Sequence, residues 1–111
     1  MAQGFRTQYR RTLRWLRKTF PLRFQVRIAL VPDHVLPDRL GEWYTLGDDE
    51  GVIRLRKGLS EDVLIETLFE EWAHARTDGL EDTDGRDDPH HHPTFWAELG
   101  RISQAYRSAN W

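Results

Sequence analysis

Glu70-Glu71-Trp72-Ala73-His74 places two carboxylates and an imidazole within five consecutive residues, and four of the five histidines (His74, His90, His91 and His92) fall within 19 positions. On an α-helix, positions 70 and 74 are i and i+4, so both side chains leave the same face and can converge on one cation. His91, arriving from a later segment, could supply a third ligand, with His90 and His92 as the alternatives on either side. Three protein ligands and an open position are the pattern of a catalytic zinc ion (Zn2+), which activates water for attack on a carbonyl. Glu71 is turned about 100° from Glu70 by the helical period and is placed to act as general base. Two histidines and one carboxylate also suit non-haem Fe(II), although that set belongs to β-rich scaffolds.

The elements that must position these groups are legible from periodicity. Phe5, Tyr9, Leu13, Leu16 and Phe20 follow steps of 4, 4, 3 and 4, one stripe of a helix that Pro21 brings to an end. Phe24 to Leu30 alternates as a half-buried strand does, and Pro32 and Pro37 mark a loop. Glu42–Leu46 and Val52–Arg56 read as two further strands joined by the turn-forming stretch Gly47-Asp-Asp-Glu-Gly51. The period becomes helical after Gly58: Ser60 is a good N-cap, Glu61 and Asp62 occupy the first turn, and apolar residues from Leu64 to Ala75 cover more than one face. That helix is expected to be largely buried and to stop near Gly79. An acidic loop follows, and a last helix starts at Pro93 with Phe95, Leu99, Ile102 and Tyr106 on one side. The order α-β-β-β-α-α predicts a single α+β domain over residues 1–111.

Two segments carry a resemblance. Glu66-Thr-Leu-Phe-Glu70-Glu71-Trp-Ala-His74-Ala, and His91-His92-Pro93-Thr94-Phe95-Trp96-Ala-Glu98-Leu-Gly-Arg-Ile, are similar to "DTLLHEWAHAL" and "HGPEFWAELGRI" of small single-domain zincins, the SprT-like and phage-encoded minimal metallopeptidases. The motif-level resemblance covers about residues 51–107. It implies a minimal zincin-like fold of N-terminal helix, three-stranded sheet, active-site helix and C-terminal helix. It also implies peptide hydrolysis, with Glu70, His74 and His91 as zinc ligands and Glu71 as the catalytic glutamate. The chain departs from the H-E-x-x-H motif at its first position, where Glu70 stands for histidine. Carboxylate oxygen is an accepted zinc ligand and partly neutralises the ion, so the departure implies a retuned site or a fold kept for binding alone. In the resembling proteins an edge strand holds the substrate backbone extended; Val52–Arg56, just before the active-site helix, is the candidate here. Glu98 is an alternative third ligand, as in gluzincins.

Composition narrows the remaining classes. With 111 residues and no cysteine, the chain has no disulfide, thiolate metal site or cysteine nucleophile, and a reducing cytoplasm is the expected compartment. No apolar run is long enough to cross a membrane, and the arginine-rich start is unlike a secretory signal. Residues 1–30 hold eight Lys/Arg and no acid, whereas residues 61–111 hold twelve acids and four bases. The basic first helix could therefore face nucleic acid, and a protease seated on DNA through that helix is an alternative to a peptidase acting on free peptides. The Asp82, Asp84, Asp87 and Asp88 cluster lacks the closing Glu of an EF-hand and is expected to be a solvated loop.

Overall fold

The computed structural model describes residues 6–80 and 93–109; Phe5, most of the acidic loop and the three consecutive histidines lie outside that range. Helix α1 spans Thr7–Thr19, strand β1 Gln25–Val31, β2 Gly41–Thr45, β3 Glu50–Arg56, helix α2 Glu61–Arg76 and α3 Pro93–Ser108. This is the expected order and an α+β fold. A short 3-10 turn, Asp33–Val35, occupies the proline-flanked loop.

The three strands form one mixed sheet in the order β1-β3-β2. β1 runs parallel to β3, with Ile28 beside Ile53, and β2 runs antiparallel to it, with Trp43 beside Ile53. The chain leaves β1, passes the end of β3 and returns as β2 on the far side. That crossing is held by Lys57 N–H donating to the Val31 carbonyl, Arg56 N–H to the Leu40 carbonyl, and Gly58 N–H to the Asp33 carboxylate. Val52–Arg56 is therefore a central strand. Both its edges are consumed by neighbours, so it cannot receive a substrate strand. β2 is the edge nearest α2 instead.

Alternation sorts the sheet into two faces. Val26, Ile28, Leu30, Trp43, Ile53 and Leu55 point toward the helices. Glu42, Arg54 and Arg56 lie on the outer face, where Arg54 grips the Glu42 carboxylate at 2.5 Å and Arg56 pairs with Asp33 at 3.4 Å. α2 packs on β2, β3, α1 and α3. It buries Leu64, Ile65, Leu68, Phe69, Trp72, Ala73 and Ala75, which explains why its apolar residues are spread over more than one face. Its start is fixed by Ser60, whose hydroxyl accepts from the Val63 N–H, a cap worth roughly 1 kcal/mol.

α1 packs through Tyr9, Thr12 and Leu16. It is tied down by Tyr9 N–H donating to Glu61 at 3.0 Å, by Thr12 sharing a hydrogen bond with the Tyr106 hydroxyl, and by the Trp72 indole donating to the Phe20 carbonyl at 2.8 Å. The helix ends at Thr19, two residues before Pro21.

β2 approaches α2 closely because glycines line the route. A Cβ on Gly41 would sit 2.8 Å from the Thr67 methyl, and one on Gly51 would overlap the Trp43 ring. Trp43 cannot step aside: its indole N–H donates to Asp78 at 3.1 Å and its ring meets Phe24 edge-on at 5.1 Å. Gly51→Ala should therefore cost about 1–3 kcal/mol of unfolding free energy in urea titrations, the usual range for overpacking. The same change made in a Trp43→Leu background should cost markedly less; equal costs in both backgrounds would place the strain elsewhere.

Candidate metal and peptide site

Thr67, Glu70, Glu71, His74 and Asp78 fall on one strip of α2 and its C-terminal extension, at steps of 3, 1, 3 and 4. Together with Asp38–Thr45 they line an open groove of about 710 Å³ between α2 and β2. The fold thus brings Glu70, Glu71 and His74 to a common concavity. Glu70 is exposed, His74 half-buried, and Glu71 only 8% exposed. The His74 ring stacks on Phe95 with centroids 4.2 Å apart and planes inclined by 19°, so α3 fixes the plane of the imidazole. Phe95 is thereby both a core residue and the platform for a candidate ligand.

Burial is the main influence on Glu71. Together with the adjacent Glu70 charge and a smaller push from Glu42, and against Arg39, it brings the carboxyl from 4.5 to about 7. A carboxyl that titrates near neutrality beside a water-accessible groove is suited to exchanging protons with water.

His91, with its neighbours His90 and His92, lies outside the described residues, as does the Asp82–Asp88 cluster. Among the described residues no group of three or more His, Asp or Glu side chains is gathered closely enough to hold a metal ion. Two donors, the Glu70 carboxylate and the His74 imidazole, are present on one helix face; this pair fits a divalent cation and needs a third ligand from elsewhere. Glu98 does not provide it. Its buried carboxylate is engaged on one oxygen by Arg76 and on the other by Arg101, and Arg76 also donates to the Pro21 carbonyl at 2.6 Å.

The groove contains features that the sequence reading passed over. The antiparallel pairing with β3 engages the backbone of Leu40 and Leu46, so alternation turns the N–H and C=O groups of Gly41, Trp43 and Thr45 toward the open edge of β2. Among the described residues no strand pairs with that edge. Asp78 continues the 70, 74 stripe by one more step of four and anchors Trp43; that spacing was the available signal. Among the described residues, Arg39, near Glu42 at 4.0 Å, is the one arginine or lysine lining the groove. Comparison with models of known protein families, with curated proteins and with solved structures returned no match to this chain.

The elevated Glu71 value has a definite consequence for stability. Between pH 4.5 and about 7 the folded chain holds a proton that the unfolded chain has released, so this group lowers stability as pH rises through that window. Its penalty is absent below pH 4.5 and complete above about 7, on the order of 3 kcal/mol. In urea unfolding with EDTA present, the stability of Glu71→Gln relative to the parent should improve by about that amount between pH 4 and pH 8. A pH-independent difference would mean that Glu71 titrates like an exposed glutamate.

Proposed function

We propose that the chain is a minimal zincin-type metallopeptidase that hydrolyses peptide bonds with zinc as cofactor. The observation that carries this reading is the convergence of Glu70, Glu71 and His74 on a groove bordered by the open edge of β2. The motif resemblance of the α2 and α3 segments supports it, with Glu70, His74 and His91 holding the metal. Zinc, when bound there, supplies a Lewis acid for the scissile carbonyl and makes water more acidic.

The chain's own groups perform the remaining work. Backbone N–H and C=O groups of Gly41, Trp43 and Thr45 receive an extended peptide by strand addition, which fixes the scissile bond relative to α2. Glu71 takes a proton from the attacking water and passes it to the departing amine. Phe95 holds the His74 imidazole in plane, and the buried position of Glu71 shields that proton from bulk solvent. The absence of cysteine fits a reducing, cytoplasmic setting.

A second reading is favoured by one specific feature, the carboxylate at position 70 where the motif has histidine. Under that reading the fold has kept the groove as a peptide-binding surface and has lost metal chemistry.

Metal analysis after zinc reconstitution, combined with cleavage of a casein-derived peptide mixture, tests the two. One zinc per chain with measurable cleavage is expected. Glu71→Gln should keep the metal and lose at least about 100-fold in kcat, in line with the usual contribution of a general base. His74→Ala should lose the metal, and Glu70→His should bind zinc more tightly. Zinc stoichiometry near zero in the parent would overturn the peptidase reading in favour of the binding module, and an unchanged affinity in Glu70→His would remove position 70 from the ligand set.

A further inference from the structure

Among the described residues the groove is lined by five carboxylates, Asp38, Glu42, Glu70, Glu71 and Asp78, against one guanidinium, Arg39. Two of the five are engaged: Glu42 by Arg54, and Asp78 by the Trp43 indole and by Arg23 at 3.6 Å. The carboxylates of Asp38, Glu70 and Glu71 have no hydrogen-bond or ion-pair partner among the described residues. Asp38 and Glu70 are exposed, whereas Glu71 is more than nine-tenths buried and still lines the groove. A dication held by Glu70 and His74 would reduce this excess of negative charge without cancelling it. The other side of the bordering strand differs in character. Leu40, Tyr44 and Leu46 are 43%, 38% and 52% exposed, half of the six large apolar side chains exposed among the described residues. They fall on alternate positions with Glu42, whose side chain is on the outer face of the sheet, and Tyr44 lies there beside Arg54.

We propose that the groove selects extended peptides in which lysine or arginine alternates with apolar residues, the cations facing α2 and the apolar side chains facing outward beside Leu40, Tyr44 and Leu46. The inference rests on the strand-addition part of the proposed function and names the substrate class of that same site. A strand added to the open edge of β2 shares the pleat of β2, so each of its residues lies on the same face as the residue opposite. Residues opposite Gly41, Trp43 and Thr45 therefore look toward the acidic wall, and those between them look outward. Apolar side chains on the inner side would desolvate Glu70 and Glu71 without giving them a partner, which is costly. Acidic ones would meet like charge. A uniformly cationic peptide would satisfy the wall and leave the three apolar side chains uncovered. Alternation alone serves both sides.

The test is fluorescence anisotropy on the full chain with EDTA present, using labelled heptapeptides at 50 mM salt. One peptide alternates lysine with valine, a second glutamate with valine, a third lysine with serine, and a fourth has the composition of the first with its lysines in one block. The first should bind at least about tenfold tighter than each of the others. Leu40→Ser combined with Leu46→Ser should bring its affinity down to that of the lysine–serine peptide and leave the latter unchanged. Asp38→Asn and Glu70→Gln should each weaken both alternating lysine peptides. Thr45→Pro, which removes an N–H from the open edge and none from the pairing with β3, should weaken all binding. These five positions are exposed, and circular dichroism checks that each variant keeps the fold. Absence of binding, equal affinity for the lysine–valine and glutamate–valine peptides, or equal affinity for the alternating and blocked sequences would each overturn the proposal. The assay needs neither zinc nor turnover. Selective binding by a chain that holds no zinc would sink the peptidase reading alone, and casein-peptide cleavage by a chain without this selectivity would sink the present inference alone.

Discussion

Helix α2 must bury apolar surface against the sheet on one side and two helices on the other while keeping one strip open to water. Its length of 16 residues is nearly all committed to that task, and the strip carrying Thr67, Glu70, Glu71 and His74 is what remains. The strip can open into a groove only because β2 comes down onto α2 at Gly41 and Trp43 is pinned by Asp78. A wider β2 would fill the concavity and displace the edge that borders it. The groove is thus a by-product of the close sheet–helix contact at Gly41.

Two buried glutamates show how placement separates roles. Glu98 and Glu71 are almost equally hidden, at 4% and 8% exposure. Glu98 is held by guanidinium groups on both oxygens and joins α3 to α2 and to the end of α1 through Arg76. Such an ion pair is a registration device whose charges satisfy each other. Glu71 faces a like charge at Glu70 and has burial as its main influence, so its energetics run the other way. A protein retains a destabilised carboxyl of that kind only where the rest of the fold over-determines its position.

Much of this was legible in the residues. The change of period at Gly58, the Ser60 cap and the spread of apolar positions from Leu64 to Ala75 dictated a buried helix, and the i, i+4 spacing placed Glu70 and His74 on one face. Strand order was not legible. Alternation reveals that Val52–Arg56 is a strand, and its place just before α2 made it the candidate edge, but the parallel partner β1 is reached by a crossing that local pattern cannot disclose. The ion pairs Arg54–Glu42 and Arg56–Asp33 are what allow a central strand to carry charges on its outer face. The stacking of Phe95 beneath His74 depends on the docking of α3 against α2, a tertiary fact hidden inside a segment that reads as ordinary core.

Charge is segregated along the chain, and among the described residues it remains segregated in the fold. Among the described residues, Arg10, Arg14 and Lys18 of α1 pair with no acid of α2: where the two helices meet, contact is through Tyr9, Leu16 and Trp72, and Glu61 accepts from a backbone N–H of α1. Neutralising an acidic second half would have been the simplest use for a basic first helix, and pairing across α1 and α2 would have hidden both. The groove instead retains several carboxylates, and α1 presents guanidinium and ammonium groups outward. Among the described residues, α1 and the groove are thus two surfaces of opposite sign on one small domain, and such separation keeps ligands of one charge from being drawn to both.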